Sequence, residues 1–309
     1  MLPQLGGDGL FVTDGGLETE LIFHDGLDLP CFAAFPLLGD PQTRAHLRRY
    51  YDRYLAIARE HGAGFLIETP TWRANSEWAH RLGYSSEQLD AVNRDAVTLA
   101  EEVRAVAAAD GVSAVVSGCV GPRGDGYDPA NVMTPQEAER YHAAQIGTFA
   151  TTTADQVTAM TLTDVNEAIG IVRAAAAAGI PAAISFTVEG DGRLPAGQPL
   201  HEAIEQVDAE TGAAAAYFMI NCAHPVHFAD ALKPDGAWRR RLVGLRANAS
   251  MKSHAELDEA TELDEGDPVD LGARHGALRD RLSAVTVLGG CCGTDARHVA
   301  AIVSAWRAN

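Results

Sequence analysis

Two periods alternate along this chain. Short runs rich in aliphatic and β-branched residues recur, and each is followed by a longer segment with helical spacing. The first run, residues 10–13, ends in Asp14-Gly15-Gly16. A helix is predicted over 43–61, with Asp40-Pro41 as its start signal and Gly62 as its stop. A strand over 65–68 follows, then a helix over 85–109 closed by Asp110-Gly111. The third strand, 112–117, leads to a helix opening at Thr134-Pro135-Gln136-Glu137, a capping-box pattern with proline at the first helical position. The second half keeps the rhythm, with strands over 157–161, 182–187, 216–221, 242–246 and 284–288. Helices are predicted over 164–178, 200–211, 226–232, 268–282 and 295–306.

Eight strand–helix pairs are what a closed α/β barrel of the (β/α)8 TIM type requires, and one such barrel domain is expected over residues 1–309. A doubly wound open sheet is the rival. It would carry a glycine-rich nucleotide loop directly between an early strand and its helix. Gly118, Gly121, Gly124 and Gly126 follow the third strand, but their spacing differs from that fingerprint and no helix start lies close behind. The strongly acidic stretch 257–270 reads as a solvated loop.

Composition narrows the function classes. Hydrophobic residues make up 47% and charged ones 21%, the balance of a globular chain with a sizeable core. The net charge of −18 repels phosphate backbones and anionic lipid, so neither nucleic acid nor a membrane surface is an expected partner. The longest apolar stretch, 174–184, is too short to span a bilayer and is broken by Gly179 and Pro181. MLPQLGGDGL lacks a basic region followed by an apolar one, so no secretion signal is read there and a cytoplasmic location is expected. Five cysteines in such a chain do not make a disulfide framework; clustered cysteines here point to metal or catalysis.

In a barrel, chemistry is built from residues just after the strands. Those positions hold Asp14, Glu68, Thr71, Cys119, Asn221-Cys222, Asn248 and Gly289-Gly290-Cys291-Cys292-Gly293. Cys222, Cys291 and Cys292 thus fall after strands six and eight, at one end of one barrel, and the flanking glycines permit the sharp turn that aims adjacent sulfurs at one ion. Three sulfurs suit a soft ion, zinc above all, and no fourth cysteine closes the site. An open position could take a substrate thiol and turn it into a thiolate, for which alkyl transfer to sulfur is the natural reaction. His224, two residues past Cys222, is either a further ligand or a hydrogen-bonding loop residue. Cys31 and Cys119 read as small buried hydrophobes.

The same strand ends carry a family resemblance. The segments 13–21 (TDGGLETEL), 68–75 (ETPTWRAN), Gly118 through Gly121-Pro122, 221–225 (NCAHP) and 289–294 (GGCCGT) resemble the homocysteine S-methyltransferases, zinc-dependent barrel enzymes related to the homocysteine-binding part of methionine synthase. The resemblance implies that Cys222, Cys291 and Cys292 are zinc ligands and that Asp14, Gly15 and Thr71 line the acceptor pocket, with Asn221, Met160 and Asn248 as further substrate-side residues. It also implies small sulfonium donors, S-methylmethionine or S-adenosylmethionine, and a small thiol acceptor. Two departures stand out. Met160 occupies the place of a glutamate that the family associates with the amino group of homocysteine, and Arg246-Ala247-Asn248-Ala249-Ser250 replaces Pro-Asn-Ser-Gly, keeping Asn248. Glu68 or Glu189 could supply the missing carboxylate. The leading expectation is methyl transfer to homocysteine. The alternatives are the same chemistry on another thiol or selenol, a non-catalytic zinc or small-molecule binding barrel, and metal-assisted hydrolysis, which three sulfurs disfavour.

Overall fold

The computed structural model describes residues 2–7, 9–126, 132–260 and 262–308. Eight parallel strands close into a barrel in chain order: β1 (Phe11–Val12), β2 (Gly64–Glu68), β3 (Ala114–Val120), β4 (Gln156–Leu162), β5 (Ala182–Phe186), β6 (Tyr217–Asn221), β7 (Leu242–Ala247) and β8 (Val287–Gly290). β1 pairs with both β2 and β8, which shuts the sheet. The helices are α1 (Leu17–Phe23), α2 (Pro41–Glu60), α3 (Ser76–Arg81), α4 (Ser86–Ala109), α5 (Pro135–Ala150), α6 (Val165–Ala178), α7 (Leu200–Thr211), α8 (Pro225–Phe228), α9 (His254–Asp258), α10 (Pro268–Gly276) and α11 (Ala296–Ala308). The expected (β/α)8 architecture is therefore the one found. Among the described residues no helix is long and apolar enough to cross a membrane.

Local signals explain the helix starts. Asp40 accepts from the backbone N–H groups of Gln42 and Thr43, with Pro41 next in the chain, so α2 begins with its orphan donors satisfied. Full capping boxes open α4 (Ser85 with Gln88) and α5 (Thr134 with Glu137). Gly179 takes the left-handed conformation that stops α6 (φ 74°).

Strand alternation divides the core in two. Phe65, Ile67, Val116 and Ile184 face the helices, whereas Leu66, Val115, Tyr217, Met219 and Val287 fill the barrel interior. One interior layer is polar: Ser117 and Thr158 share a hydrogen bond of 2.7 Å, and Gln156 Nε2 donates to Thr158 and to the Tyr217 hydroxyl. Gln4, from the N-terminal segment, donates to Gln156 from below at 2.8 Å. Inward positions at the C-terminal strand ends then carry polar groups in place of apolar ones, which is where a site can form.

Several boundaries differ from the sequence expectation. β3 runs on to Val120 and β8 to Gly290, through glycines that have low strand propensity. Neighbouring strands supply the ladder there, and close packing demands the glycines: a Cβ on Gly118 would press on the Phe149 ring. That is the role of this glycine, which lies inside β3, in place of nucleotide binding. The helix expected over 268–282 ends at Gly276 and gives way to a short 3-10 turn over Arg279–Arg281, and α8 is a single turn. α1, α3 and α9 were not predicted; each is too short to show a helical period. Cys31 is exposed, correcting the expectation that it is a buried hydrophobe; Cys119 is buried.

The fold carries one titratable liability. His275 on α10 is fully buried, its Nδ1–H faces the Leu271 carbonyl at 2.8 Å, and burial lowers its pKa to about 4. The folded value lies below the ordinary 6.5, so this histidine's stabilisation is complete above about pH 6.5 and drains away as pH falls toward 4, by up to about 3 kcal/mol. His275→Leu should flatten that part of the stability profile, read as the urea midpoint against pH; an unchanged slope would show that other groups set it.

Candidate metal and substrate site

Three sulfurs meet at the C-terminal end of the barrel. The Sγ atoms of Cys222, Cys291 and Cys292 all lie within 4.8 Å of one another, and Cys222 Sγ is 3.9 Å from Cys292 Sγ. Cys222 and Cys291 are joined as a disulfide, their Cα atoms 5.3 Å apart. Sulfurs close enough to share an ion are also close enough to bond to each other. The expected absence of a disulfide framework thus meets one pair, inside the cluster itself. A metal would require both as free thiolates. The donor set fits a soft ion, because three sulfurs converge and no hard ligand stands among them.

Backbone strain aims these side chains. Cys222 holds a left-handed conformation (φ 53°), unusual for a residue with a Cβ, and so does Thr161 (φ 62°), at the irregularity in the β4–β5 register. The surroundings over-determine both. The Cys222 N–H donates to the Arg246 carbonyl, and the Cys222 carbonyl collects three donors: Asn248 Nδ2 at 3.1 Å, His254 Nε2 at 2.7 Å and Thr187 Oγ1 at 3.4 Å. Asn221 braces Thr161 through both amide ends, accepting its N–H at 2.9 Å and donating to its hydroxyl at 2.8 Å. Asn221 Nδ2 also lies 3.7 Å from Cys291 Sγ, and Thr161 Oγ1 lies 3.8 Å from Cys222 Sγ. The Cys291–Thr294 turn is bound on two sides. Cys291 N–H reaches the Ala247 carbonyl, the Cys291 carbonyl accepts from the N–H and hydroxyl of Thr294, and Gly293 N–H donates to Thr19 Oγ1.

The sulfurs open onto a cavity of about 440 Å³. Its wall includes Asp14, Gly15, Glu18, Glu68, Thr69, Trp72, Cys119, Met160, Asn221 and Arg246. Arg246 Nη2 pairs with Asp14 Oδ1 at 2.5 Å, and Arg246 Nε donates to the Gly290 carbonyl at 3.0 Å. Tyr50 and Thr13 donate to the same carboxylate at 2.9 and 2.8 Å. Burial works against the Arg246 charge, but Asp14 and Glu68 outweigh it and raise its pKa above the ordinary value. Glu68 is buried, with neither carboxylate oxygen hydrogen-bonded. Burial pushes its pKa up to about 7 against the pull of Arg246, with Asp14 adding to the rise. Glu18 is likewise pushed up to about 7, by burial first and then, against its own backbone N–H, by Asp14. The Cys119 thiol is raised well above its usual value by burial and by Glu68, so it stays protonated and stands apart from the sulfur cluster.

The residues expected from sequence divide into two shells. Asp14, Gly15, Asn221 and Met160 reach the cavity. Thr71 and Asn248 do not. Thr71 is fully buried and donates to the Cys119 carbonyl, while Thr69, two residues earlier, faces the cavity because the chain turns between them, the Thr71 N–H donating to the Thr69 carbonyl at 2.8 Å. Asn248 sits behind Cys222, holding its carbonyl. His224 is outside the sulfur cluster. Its Nδ1 accepts the Val226 N–H and caps α8, which settles its two readings in favour of the loop residue. Burial, then Arg274 and His227, lowers its pKa to about 4. Glu189 pairs with His254 at 3.1 Å and does not line the cavity.

The stretch 257–270 is also corrected: Leu257, Leu263 and Asp264 form part of the cavity wall, and Glu265 ties the segment to His24 and Arg297. Its acidic residues obscured two leucines that pack inward. Glu18, His254, Thr161 and Thr187 were missed, since each acts through a contact between segments far apart in sequence.

Fold and site together define a TIM-type barrel with a three-cysteine, soft-metal donor set at the head of an acid-lined cavity. The homocysteine S-methyltransferase family profile matches residues 11–306, and the chain belongs to that family. Homocysteine S-methyltransferase 4 of Zea mays is 28% identical over 226 residues, which cover 65% of this chain. The match spans 62% of that curated relative's length. The metallated form of the homocysteine methyltransferase MmuM from Escherichia coli shares the fold, with a TM-score of 0.73 and 21% identity over 97% of this chain and 96% of that one. Its oxidized form gives 0.75 at the same identity and coverage.

The glycines between β1 and α1 are testable as part of this packing. A Cβ on Gly16 would stand 2.6 Å from the Cys291 carbonyl oxygen and collide with Thr19 Oγ1. Gly16→Ala should therefore destabilise the protein by about 1–3 kcal/mol in denaturant unfolding. Gly147→Ala, in open space on α5, should be neutral or stabilising by about 1 kcal/mol. Equal effects from the two changes would refute the close packing of the Cys291 turn on the β1 loop.

Proposed function

We propose that this chain is a zinc-dependent S-methyltransferase that moves a methyl group from a small sulfonium donor, S-methylmethionine or S-adenosylmethionine, to the sulfur of homocysteine, giving methionine. The observation that carries the reading is the convergence of Cys222, Cys291 and Cys292 on one side of a cavity. Family membership supports it. Zinc, when bound, supplies the Lewis acidity that keeps an acceptor sulfur ionised near neutral pH.

The chain's own groups do the rest. The three cysteines would hold the ion, Asn221 fixes the β4 and β6 ends against each other, and Asn248 with His254 holds the Cys222 carbonyl. Asp14, Gly15, Asn221 and Met160 flank the acceptor, with Thr71 and Asn248 supporting the residues that touch it. Acidic side chains around the cavity favour a cationic donor over an anionic one. Leu257 and Leu263 add apolar surface to the cavity wall. The reading takes residues 1–309 as one catalytic domain working in a reducing cytoplasm, where the Cys222–Cys291 pair is reduced. A second reading keeps the chemistry and changes the acceptor to another thiol or a selenol. Met160 favours it, because a buried methionine in the cavity wall offers no charge to an ammonium group.

Crossing several thiols with several sulfonium donors, and following the methylated product by mass, separates the two readings; no methylated product from any pair would defeat both. The reduced protein should bind about one zinc ion. Replacing Cys222, Cys291 or Cys292 by Ala should abolish turnover and strip most of the metal, while Cys31→Ala and Cys119→Ala keep it. Zinc content that survives the triple substitution would defeat the assignment. Direct displacement by an activated thiolate should also transfer an isotopically chiral methyl group with inversion, and net retention would require a methylated protein intermediate.

A further inference from the structure

An amino-acid acceptor brings an ammonium group into a cavity to whose wall β4 contributes Met160 and Thr161, and no carboxylate. Six acidic side chains border that cavity: Asp14, Glu18, Glu68, Asp125, Glu262 and Asp264. Five are committed or out of reach. Asp14 is saturated by Arg246, Tyr50 and Thr13. Asp125 faces Arg73, and Asp264 is held by Ser250 and Lys252. Glu262 is exposed at the rim, where water competes for any cation. Glu68 is part of the wall, but both its carboxylate oxygens are closed to solvent.

Glu18 differs from all five. It is half-buried in the cavity wall on the first turn of α1, and among the described residues its carboxylate has no hydrogen-bond or ion-pair partner except its own backbone N–H, with Arg73 and Arg246 acting on it only at longer range. The loop that carries it is packed on the sulfur cluster, since Gly16 lies against the Cys291 carbonyl. A carboxylate with unused acceptor capacity, shielded from bulk water yet open to the cavity, is where an ammonium group gains most.

We propose that Glu18 receives the α-ammonium group of the thiol acceptor, supplying from the β1–α1 segment the charge that β4 lacks at Met160. The inference rests on the reading that the acceptor is an amino-acid thiol. It makes Glu18 a specificity residue: it selects acceptors bearing an amine, and it leaves the ionisation of the acceptor sulfur to the cysteine cluster.

The test compares homocysteine with its des-amino counterpart, 4-mercaptobutyrate, on the reduced, zinc-loaded wild type, Glu18→Gln and Glu68→Gln. Glu18→Gln should raise the homocysteine KM about tenfold to a hundredfold, the range of a charged hydrogen bond, with 4-mercaptobutyrate kcat/KM within about twofold of wild type. Glu68→Gln should leave the preference between the two thiols unchanged. An equal loss on both acceptors in Glu18→Gln would make its role structural, and an unchanged homocysteine KM, or a preference lost in Glu68→Gln instead, would overturn the proposal. Calorimetric binding of the two thiols reads the same difference without turnover. A protein that prefers homocysteine through Glu18 yet transfers no methyl group would defeat the proposed function alone.

Discussion

The end of this barrel depends on one buried ion pair. Arg246 reaches from β7 to Asp14 after β1 and to the Gly290 carbonyl at the end of β8, so a single guanidinium fastens three strand ends. The same Nη2 that pairs with Asp14 also donates to the Gly15 carbonyl at 3.3 Å. Removing one member of such a pair leaves an uncompensated buried charge, which costs about 3–5 kcal/mol. The cost would fall on the site, because the β1 loop and the Cys291–Thr294 turn lean on the strands that Arg246 joins.

Around that anchor the protein concentrates its unfavourable conformations. Left-handed backbone at Cys222 and Thr161 appears within one hydrogen-bonded group, and Asn221 touches both sides of it. Each such residue costs of order 1–3 kcal/mol. The three donors on the Cys222 carbonyl offset that cost and fix its side chain. Strain and its compensation therefore define where the sulfurs point. Side chains on loops alone would not hold three sulfurs within 4.8 Å of each other.

The charge pattern of the cavity follows the same economy. Asp14 and Arg246 neutralise each other, Glu68 lies close enough to feel both, and burial raises the Glu68 and Glu18 carboxyls to near neutrality. The Cys119 thiol, surrounded by these acids, is kept protonated and inert. Reactivity is thus confined to the cluster of three, although four cysteines line the same space. Met160, and Arg246 at the head of the segment 246–250, both face this space.

Much of the fold was legible along the chain. The eight strands and their main helices follow from local information: period-2 and period-3.6 patterns, and capping residues such as Asp40, Ser85, Thr134 and Asp164. The cysteine set was legible too, because strand order in a barrel fixes which ends are neighbours. Tertiary structure decided what depends on side-chain direction and distant contact. It put Thr69 at the cavity and Thr71 behind it, made Asn248 a brace for Cys222, turned His224 into a helix cap, and brought Leu257 and Leu263 into the cavity wall. It also left Glu18 as an open carboxylate. Sequence spacing determines which residues reach the end of a barrel. Which of them face the ligand is set by local turns, by positive φ and by partners more than 200 residues away, as between Asp14 and Arg246 or between Thr19 and Gly293, and no local pattern encodes those.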